Sequence, residues 1–499
     1  MSVKKKISAA ITAGVIVSGS AFGFASDSLP MSITADSEEK EQVEVNKKSP
    51  ENVIVMVGDG MGVGQLEIAR LLEYEGQGDL FMESLDNVGL MRTYSADNFV
   101  TDSAAAGTAI ATGEKTYNGG IGVDSAGEET DSILDLYQDA GKKVGVISTN
   151  TVTDATPAAF TASVSDRSGQ DEIARQMLAH EYDVLLGGGA DYFSAERQGG
   201  DGLVDDFQDK GYAFVDDANS LEDTGTPDKL LGLFHDSYMS YKTDRDELNS
   251  EEPTLEAMTD KALDVLSQDE DGFFLMVEGA RIDHASHAAD ATGIWQETME
   301  FDRTVEQVVK WAEDRDDTMV VVLADHETMG MSATEPMDID GLKNIEVSPE
   351  YMAQQLETDE ETGTFTVDSV KQVFSEHANI DLTDEEVDEF LVNVRDNDGE
   401  VYAEYRVGWE IGSIIADYYK VGAVDTDIRA ESDTGGHTGN MVPVFATGAG
   451  SEDFEGVMDN SDIINLIANP AKPDKEKGHG HENSNGKGHE KGKGNGHNK

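Results

Sequence analysis

The chain has 499 residues, no cysteine, and 101 Asp plus Glu against 36 Lys plus Arg, a formal charge of −65. That length can bury a large core and suits one domain with insertions or about two to three smaller ones. The charge excludes a surface for nucleic acid or anionic membrane, and the missing cysteine excludes disulfides and lipidation at a lipobox. Such a surface repels itself unless salt or bound cations screen it, so it reads as salt-adapted.

In chain order, "MSVKKK" and "ISAAITAGVIVSGSAFGFA" form the basic and apolar regions of a signal peptide over residues 1–25, with small residues before Ser26. The protein is expected to be secreted, extracellular or periplasmic, without a membrane anchor, because no later run is apolar for long enough. Residues 26–50 read as an acidic flexible leader. "NVIVMVGDG" is a strand ending in Asp59. "VTDSAAAGTAIATG", residues 100–113, is a helix of small residues headed by Ser103 behind an aspartate; a serine there caps a helix or presents its hydroxyl. "SILDLYQDAG" is helical, "KKVGVIST" is a strand, and "NTVTDATPAAF" after it carries Asp154 and Thr156. Arg167 closes "SVSDR", and "YDVLLGGG" is the next strand. "GFFLMVEGA" carries Glu278 and leads to Asp283, His284 and His287 in "RIDHASH". The helix "IWQETMEFDRTVEQVVKWAED" precedes the strand "TMVVVLADH" with Asp325 and His326.

From about Asp338 to Glu431 the rhythm breaks into an acidic inserted lobe with a capping box from Thr383 to Glu386. "RDNDGE" fails as a calcium loop, because Gly399 at the sixth position would put Val394 first. "TGGHTG" brings His437 to the strand "MVPVFATG". Residues 51–468 thus form the catalytic region, and 469–499 a disordered Gly/Lys/His tail with His479, His481, His489 and His497. Continuous apolar strands are buried on both faces. The fold class is α/β, with a mainly parallel central sheet and helices on both faces.

Ligands of such sheets sit at the strands' carboxyl ends. There the chain gathers Asp59, Asp154, Glu278, Asp283, His287, Asp325, His326 and His437. Charge crowded on one rim is costly unless cations neutralise it. Mixed His and carboxylate donors suit zinc, and oxygen-only donors suit magnesium. Asp283 and His287, four apart, face one ion if helical. Two close metals make the clamp that in-line phosphoryl displacement uses.

"VGDGMG", "VTDSAAAGTAIATG", "TDATPAAFTASVSDR", "VEGARIDHASHA", "ADHETMG" and "GGHTGNMVPVFATG" resemble, in order, the motifs of the bacterial alkaline phosphatase family. The resemblance implies hydrolysis of small phosphate monoesters through a phosphoserine, two zinc ions, one magnesium, and a homodimer. It puts Asp283, His287 and His437 on the first zinc, and Asp59, Asp325 and His326 on the second. Asp59 bridges to magnesium with Thr156 and Glu278, and Asp154 belongs to the same metal and substrate environment. Ser103 becomes the nucleophile and Arg167 the phosphate clamp. His284 stands where members carry lysine or histidine and would touch substrate, and Met329 replaces a common glycine. His180, His235 and His377 match no motif and read as structural.

Two rivals stand beside this. A phosphodiesterase or other phosphotransferase of the same superfamily would share the metals; a sulfatase would need Cys or Ser followed by x-Pro-x-Arg, and alanines follow Ser103. A non-catalytic, cation-binding exported protein would need neither Ser103 nor Arg167.

Overall fold

The computed structural model describes residues 50–468, apart from 360–362 and 397. The expected signal peptide, the leader up to residue 49 and the tail 469–499 lie outside the described residues. In chain order the strands are β1 (Asn52–Gly58), β2 (Asn87–Arg92), β3 (Lys143–Thr151), β4 (Val184–Gly188), β5 (Tyr212–Val215), β6 (Lys229–Leu233), β7 (Phe273–Gly279), β8 (Thr318–Leu323), β9 (Glu327–Thr328), β10 (Thr358–Asp359), β11 (Thr364–Phe365), β12 (His437–Thr438), β13 (Val442–Gly448) and β14 (Gly456–Asp459).

Ten of them make one sheet in the order β14-β2-β13-β8-β1-β7-β3-β4-β6-β5. Its pairs are parallel except those of β13, which runs antiparallel to β2 and β8. This is the expected α/β architecture with a mainly parallel sheet. β1 lies between β7 and β8, with Val53 beside Phe274 and Met319. Its Val, Ile and Met side chains are buried on both faces, as continuous hydrophobicity requires.

β2, β5, β6 and β14 were not apparent in the sequence. β2 exposes Val88 and Leu90 while burying Met91, so its apolar residues read as a mixture. β5 is four residues long, shorter than a period can declare.

A second apolar cluster gathers Leu342, Met352, Val370, Phe374, Phe390, Ile411 and Ile415 from the acidic segment onto Ile68, Leu72, Ala285 and Ile294. The segment is thereby seated on the helices Val63–Tyr74, Arg281–His287 and Ala291–Ala312, the middle one of which carries Asp283 and His287. The Thr383–Glu386 capping box is formed. Among the described residues no helix is long and apolar enough to cross a membrane.

Candidate active site

Three adjacent strands feed the site. Asp59 follows β1, Glu278 is near the end of β7, and Asp325 and His326 follow β8. His437 arrives from the far end of the chain. It pairs across β12 and β9 with Thr328, and because β13 runs against β8 its entry lies at the rim where β8 ends.

The helix Ser103–Thr112 is buried throughout. A Cβ on Gly107 would stand 3.0 Å from the Ala159 Cβ of the neighbouring helix Ala155–Thr161. Small residues are therefore needed where the two helices meet. The helix cap is Asp102, whose carboxylate accepts from the Ala105 amide. The capping reading of Ser103 is corrected: Ser103 is the first helical residue, and its hydroxyl is left for another partner. That partner is His326, with Nε2 at 3.1 Å from Oγ. The helix's free amides and its dipole face the same place and favour an anion there.

Two groups of donors could each hold an ion. Asp283, His287 and His437 form one, and Asp59, Asp283 and His326 the other, so Asp283 lies between them. His287 Nε2 is 3.1 Å from Asp283 Oδ2 and 3.3 Å from His437 Nε2. Asp325 Oδ2 is 3.2 Å from His326 Nε2. Each imidazole is aimed through its other nitrogen. His287 Nδ1 donates to the Gly435 carbonyl at 2.8 Å, and His437 Nδ1 to the Thr101 carbonyl at 3.0 Å. Thr328 spends its own proton on Asp283 Oδ1 at 2.5 Å, so it accepts from His326 Nδ1 at 3.3 Å. The three Nε2 atoms are left as lone-pair donors to an ion.

Buried Asp59 Oδ1 and Asp325 Oδ2 have no hydrogen-bond partner, a costly state unless a cation meets them. Burial, then the carboxylates of Asp325, Asp283, Glu278 and Asp154, raise Asp59 well above the usual range. Burial lifts Glu278 to about 8 and Asp325 to about 6. It lowers His326 to about 4 and His437 to about 3, leaving neutral imidazoles fit for ligation. The donor set fits metal ions. Fully buried Thr156 and Glu278 add oxygen donors beside Asp59, with Ser148 bonded to the Glu278 carboxylate.

Arg167 is aimed by two carboxylates, Asp102 Oδ2 at 3.2 Å from Nη1 and Asp154 Oδ2 at 3.3 Å from Nη2. Asp154 also accepts from Asn150 Nδ2. His284 Nδ1 sits 2.5 Å from Arg281 Nη1, and burial lowers it to about 3. A cavity of about 770 Å³ is lined by Ser103, Asp154, Arg167, Asp283, His284, His287 and His437. Asp59, Thr156, Glu278, Asp325 and His326 are buried and do not line it.

Sequence reasoning missed the residues that hold the ligands. Gln65, fully buried, bonds Ser286, Glu327 and the Thr328 carbonyl. Glu327 also bonds Thr438, beside His437. Glu327 and Thr328 stood inside a quoted motif, whereas nothing local marks Gln65. His180 pairs with Asp135 and stacks on Tyr182, a structural role.

The alkaline phosphatase family model matches residues 50–472. Alkaline phosphatase 4 of Bacillus subtilis (strain 168) is 33% identical over 462 residues, 89% of this chain and 92% of that protein. The crystal structure of Thermus thermophilus alkaline phosphatase superposes with a TM-score of 0.75 at 29% identity, covering 86% of this chain and 92% of that one. The cold-active alkaline phosphatase from the psychrophile Shewanella sp. gives 0.70 at 32% identity, covering 84% and 98%.

Proposed function

This chain belongs to the alkaline phosphatase family and is a metal-dependent hydrolase of phosphate monoesters, and on that premise we propose that Ser103 is its nucleophile and Arg167 its phosphate clamp. One observation carries the assignment: a single cavity presents the Ser103 hydroxyl, the Arg167 fork and the Asp283–His287–His437 cluster together, and Asp283 also belongs to the buried Asp59–Asp283–His326 group.

The Asp283–His287–His437 set suits zinc, as does Asp59–Asp325–His326, with Asp283 within reach of both. Asp59, Thr156 and Glu278 offer oxygen alone and suit one magnesium, with Asp154 beside them. When bound, such ions lower the pKa of a touching hydroxyl and neutralise the moving phosphoryl group. The chain's own groups do the rest. Arg167 takes two phosphate oxygens in its planar fork, which Asp102 and Asp154 hold in place. The first amides of the Ser103 helix face the anion. Ser103 Oγ attacks phosphorus as the ester P–O bond breaks, its hydroxyl proton passes through water to the departing alkoxide, and the alcohol leaves. Water then attacks phosphorus, the Ser103 O–P bond breaks, one proton of that water returns to the Ser103 oxygen, and inorganic phosphate leaves carrying the remaining hydroxyl. His284, on the cavity wall, meets the substrate.

The N-terminal signal reading supports a secreted enzyme. The exposed apolar residues Val88, Leu90, Phe99, Met441 and Val457 support a homodimer. Relatives spanning most of the chain are phosphatases, which leaves the diesterase and non-catalytic readings unsupported.

Acid quenching with a phosphate-labelled aryl phosphate is expected to trap label on Ser103. Ser103→Ala should lose most turnover while keeping its metals. Label on another residue, or an unimpaired mutant, would refute the assignment.

A further inference from the structure

His287 is the last residue of its helix, where carbonyls lack partners within the helix. Ala289, two residues on, adopts a left-handed backbone at φ +53°, so the chain turns away at once. A ligand so placed depends on what holds the helix end. The holding groups come from the acidic lobe. Arg429 Nη1 donates to the His287 carbonyl at 3.0 Å, to the Trp409 carbonyl at 3.3 Å and to Ser413 Oγ at 3.0 Å. Its Nη2 donates to Glu410 Oε1 at 2.7 Å, which balances a cation otherwise set beside a metal site. The Trp409 ring stacks on the His287 ring with centroids 5.0 Å apart and planes 22° off parallel. Behind it His287 stacks on His437, and His437 on His326. Trp409 therefore closes one end of a column of three candidate ligands. The lobe helix Glu404–Tyr419 lies very close: a Cβ on Gly412 would fall 1.9 Å from the Ala288 carbonyl oxygen. The loop after Arg429 supplies Gly435, whose carbonyl orients His287 Nδ1.

We propose that Trp409 and Arg429 are positioning residues for His287, through which the lobe sets how long an ion stays at the Asp283–His287–His437 cluster. Neither side chain donates to the ion. They fix the ring face and the helix end from which the ligand projects, and groups of this kind commonly change metal affinity by about 10- to 100-fold. This rests on the reading that the cluster holds zinc.

The experiment follows zinc release from the fully loaded enzyme into a chromophoric chelator, comparing wild type with Trp409→Ala, Trp409→Phe and Arg429→Ala. His437→Ala identifies the phase that belongs to this cluster. Trp409→Ala and Arg429→Ala are expected to speed that phase about tenfold or more and leave the other zinc at its wild-type rate. Trp409→Phe, which keeps a stacking ring, should stay near wild type. Wild-type rates in both phases, or equal acceleration of both, would overturn the clamp. If Arg429→Ala does not fold, the Trp409 pair decides alone. If wild type shows no zinc phase that His437→Ala lacks, the metal assignment itself falls, a result distinct from a clamp that does not act.

Discussion

Arg167 shows how much a single side chain owes to its neighbours. A guanidinium binds two phosphate oxygens only if its edge is turned toward them, and Asp102 and Asp154 each fix one nitrogen. Asp102 also caps the Ser103 helix and accepts from the Gly119 amide, so the proposed nucleophile and the proposed clamp share one support. Arg167→Ala is expected to weaken phosphate inhibition by about 1–3 kcal/mol, the scale of a charge-assisted hydrogen bond. Asp102→Ala should weaken it too and lose about 1 kcal/mol of stability with the cap. Asp102→Asn can still cap with its one oxygen but meets the Gly119 amide with an NH2, so it should recover only part of that stability and still show the weaker inhibition. Phosphate inhibition constants and melting curves for the three variants test this; an unchanged inhibition constant in Arg167→Ala would sink the clamp. Asp59, Ser103, Asp325, His326 and His437 were legible in sequence because their chemistry and their place at strand ends are local. Asp102's double role, Gln65 and Arg429 were not, because each acts on a residue far along the chain.

Among the elements, the strands buried on both faces announced themselves, and the sheet's edge did not. β2 and β14 pair in parallel with Leu90 beside Val457, and Val88, Leu90 and Val457 face outward. Phe99, 81% exposed, lies next to Gly439 and close in sequence to Asp102 and Ser103. Apolar residues grouped this way on an otherwise acidic protein fit a surface covered by a second copy. The paired substitution Val88→Asp with Leu90→Asp is expected to give a folded monomer in sedimentation, and the wild type is expected to sediment as a dimer. A monomeric wild type would remove the proposal.

At the scale of the molecule, charge dominates. With a formal −65, acidic neighbours such as Glu385, Asp388 and Glu389, all exposed on the helix Asp384–Asn393, repel at low ionic strength. The screening length falls from about 30 Å at 0.01 M salt to about 3 Å at 1 M. The melting temperature, at fixed free zinc and magnesium, is therefore expected to climb from low salt and then flatten. Neutralising those three residues should shrink the climb and spare catalysis; a melting temperature indifferent to salt would end the salt-adapted reading.

A separate dependence on pH comes from the interior. Burial, then the charge of Glu300, raises Glu297 to about 7 from an ordinary 4.5. Its protonated form is favoured in the folded chain, so its contribution is full below about 4.5 and is lost as pH rises through about 7. Glu297→Gln keeps an acceptor for the Lys242 amide and removes the titration. Its melting temperature should match wild type in acid, pull ahead between about pH 4.5 and 7, and hold that lead above. Parallel profiles would show that Glu297 does not titrate in this range.

What the residue string settled was the vocabulary of the site: the buried strands, the carboxylates and imidazoles at their ends, the serine at a helix start, and the order of the motifs. These follow from patterns a few residues long, in which side-chain type and backbone preference are coupled directly. What needed the folded chain was convergence. β13 turns against β8, and His437 reaches the rim of β1 and β7 only for that reason. Asp102 rather than Ser103 takes the cap, and the carbonyls of Thr101 and Gly435 choose which imidazole nitrogen is free. Each of those choices is a hydrogen bond or strand pairing between partners whose separation along the chain carries no local signal, so it is made by packing rather than by the segment itself.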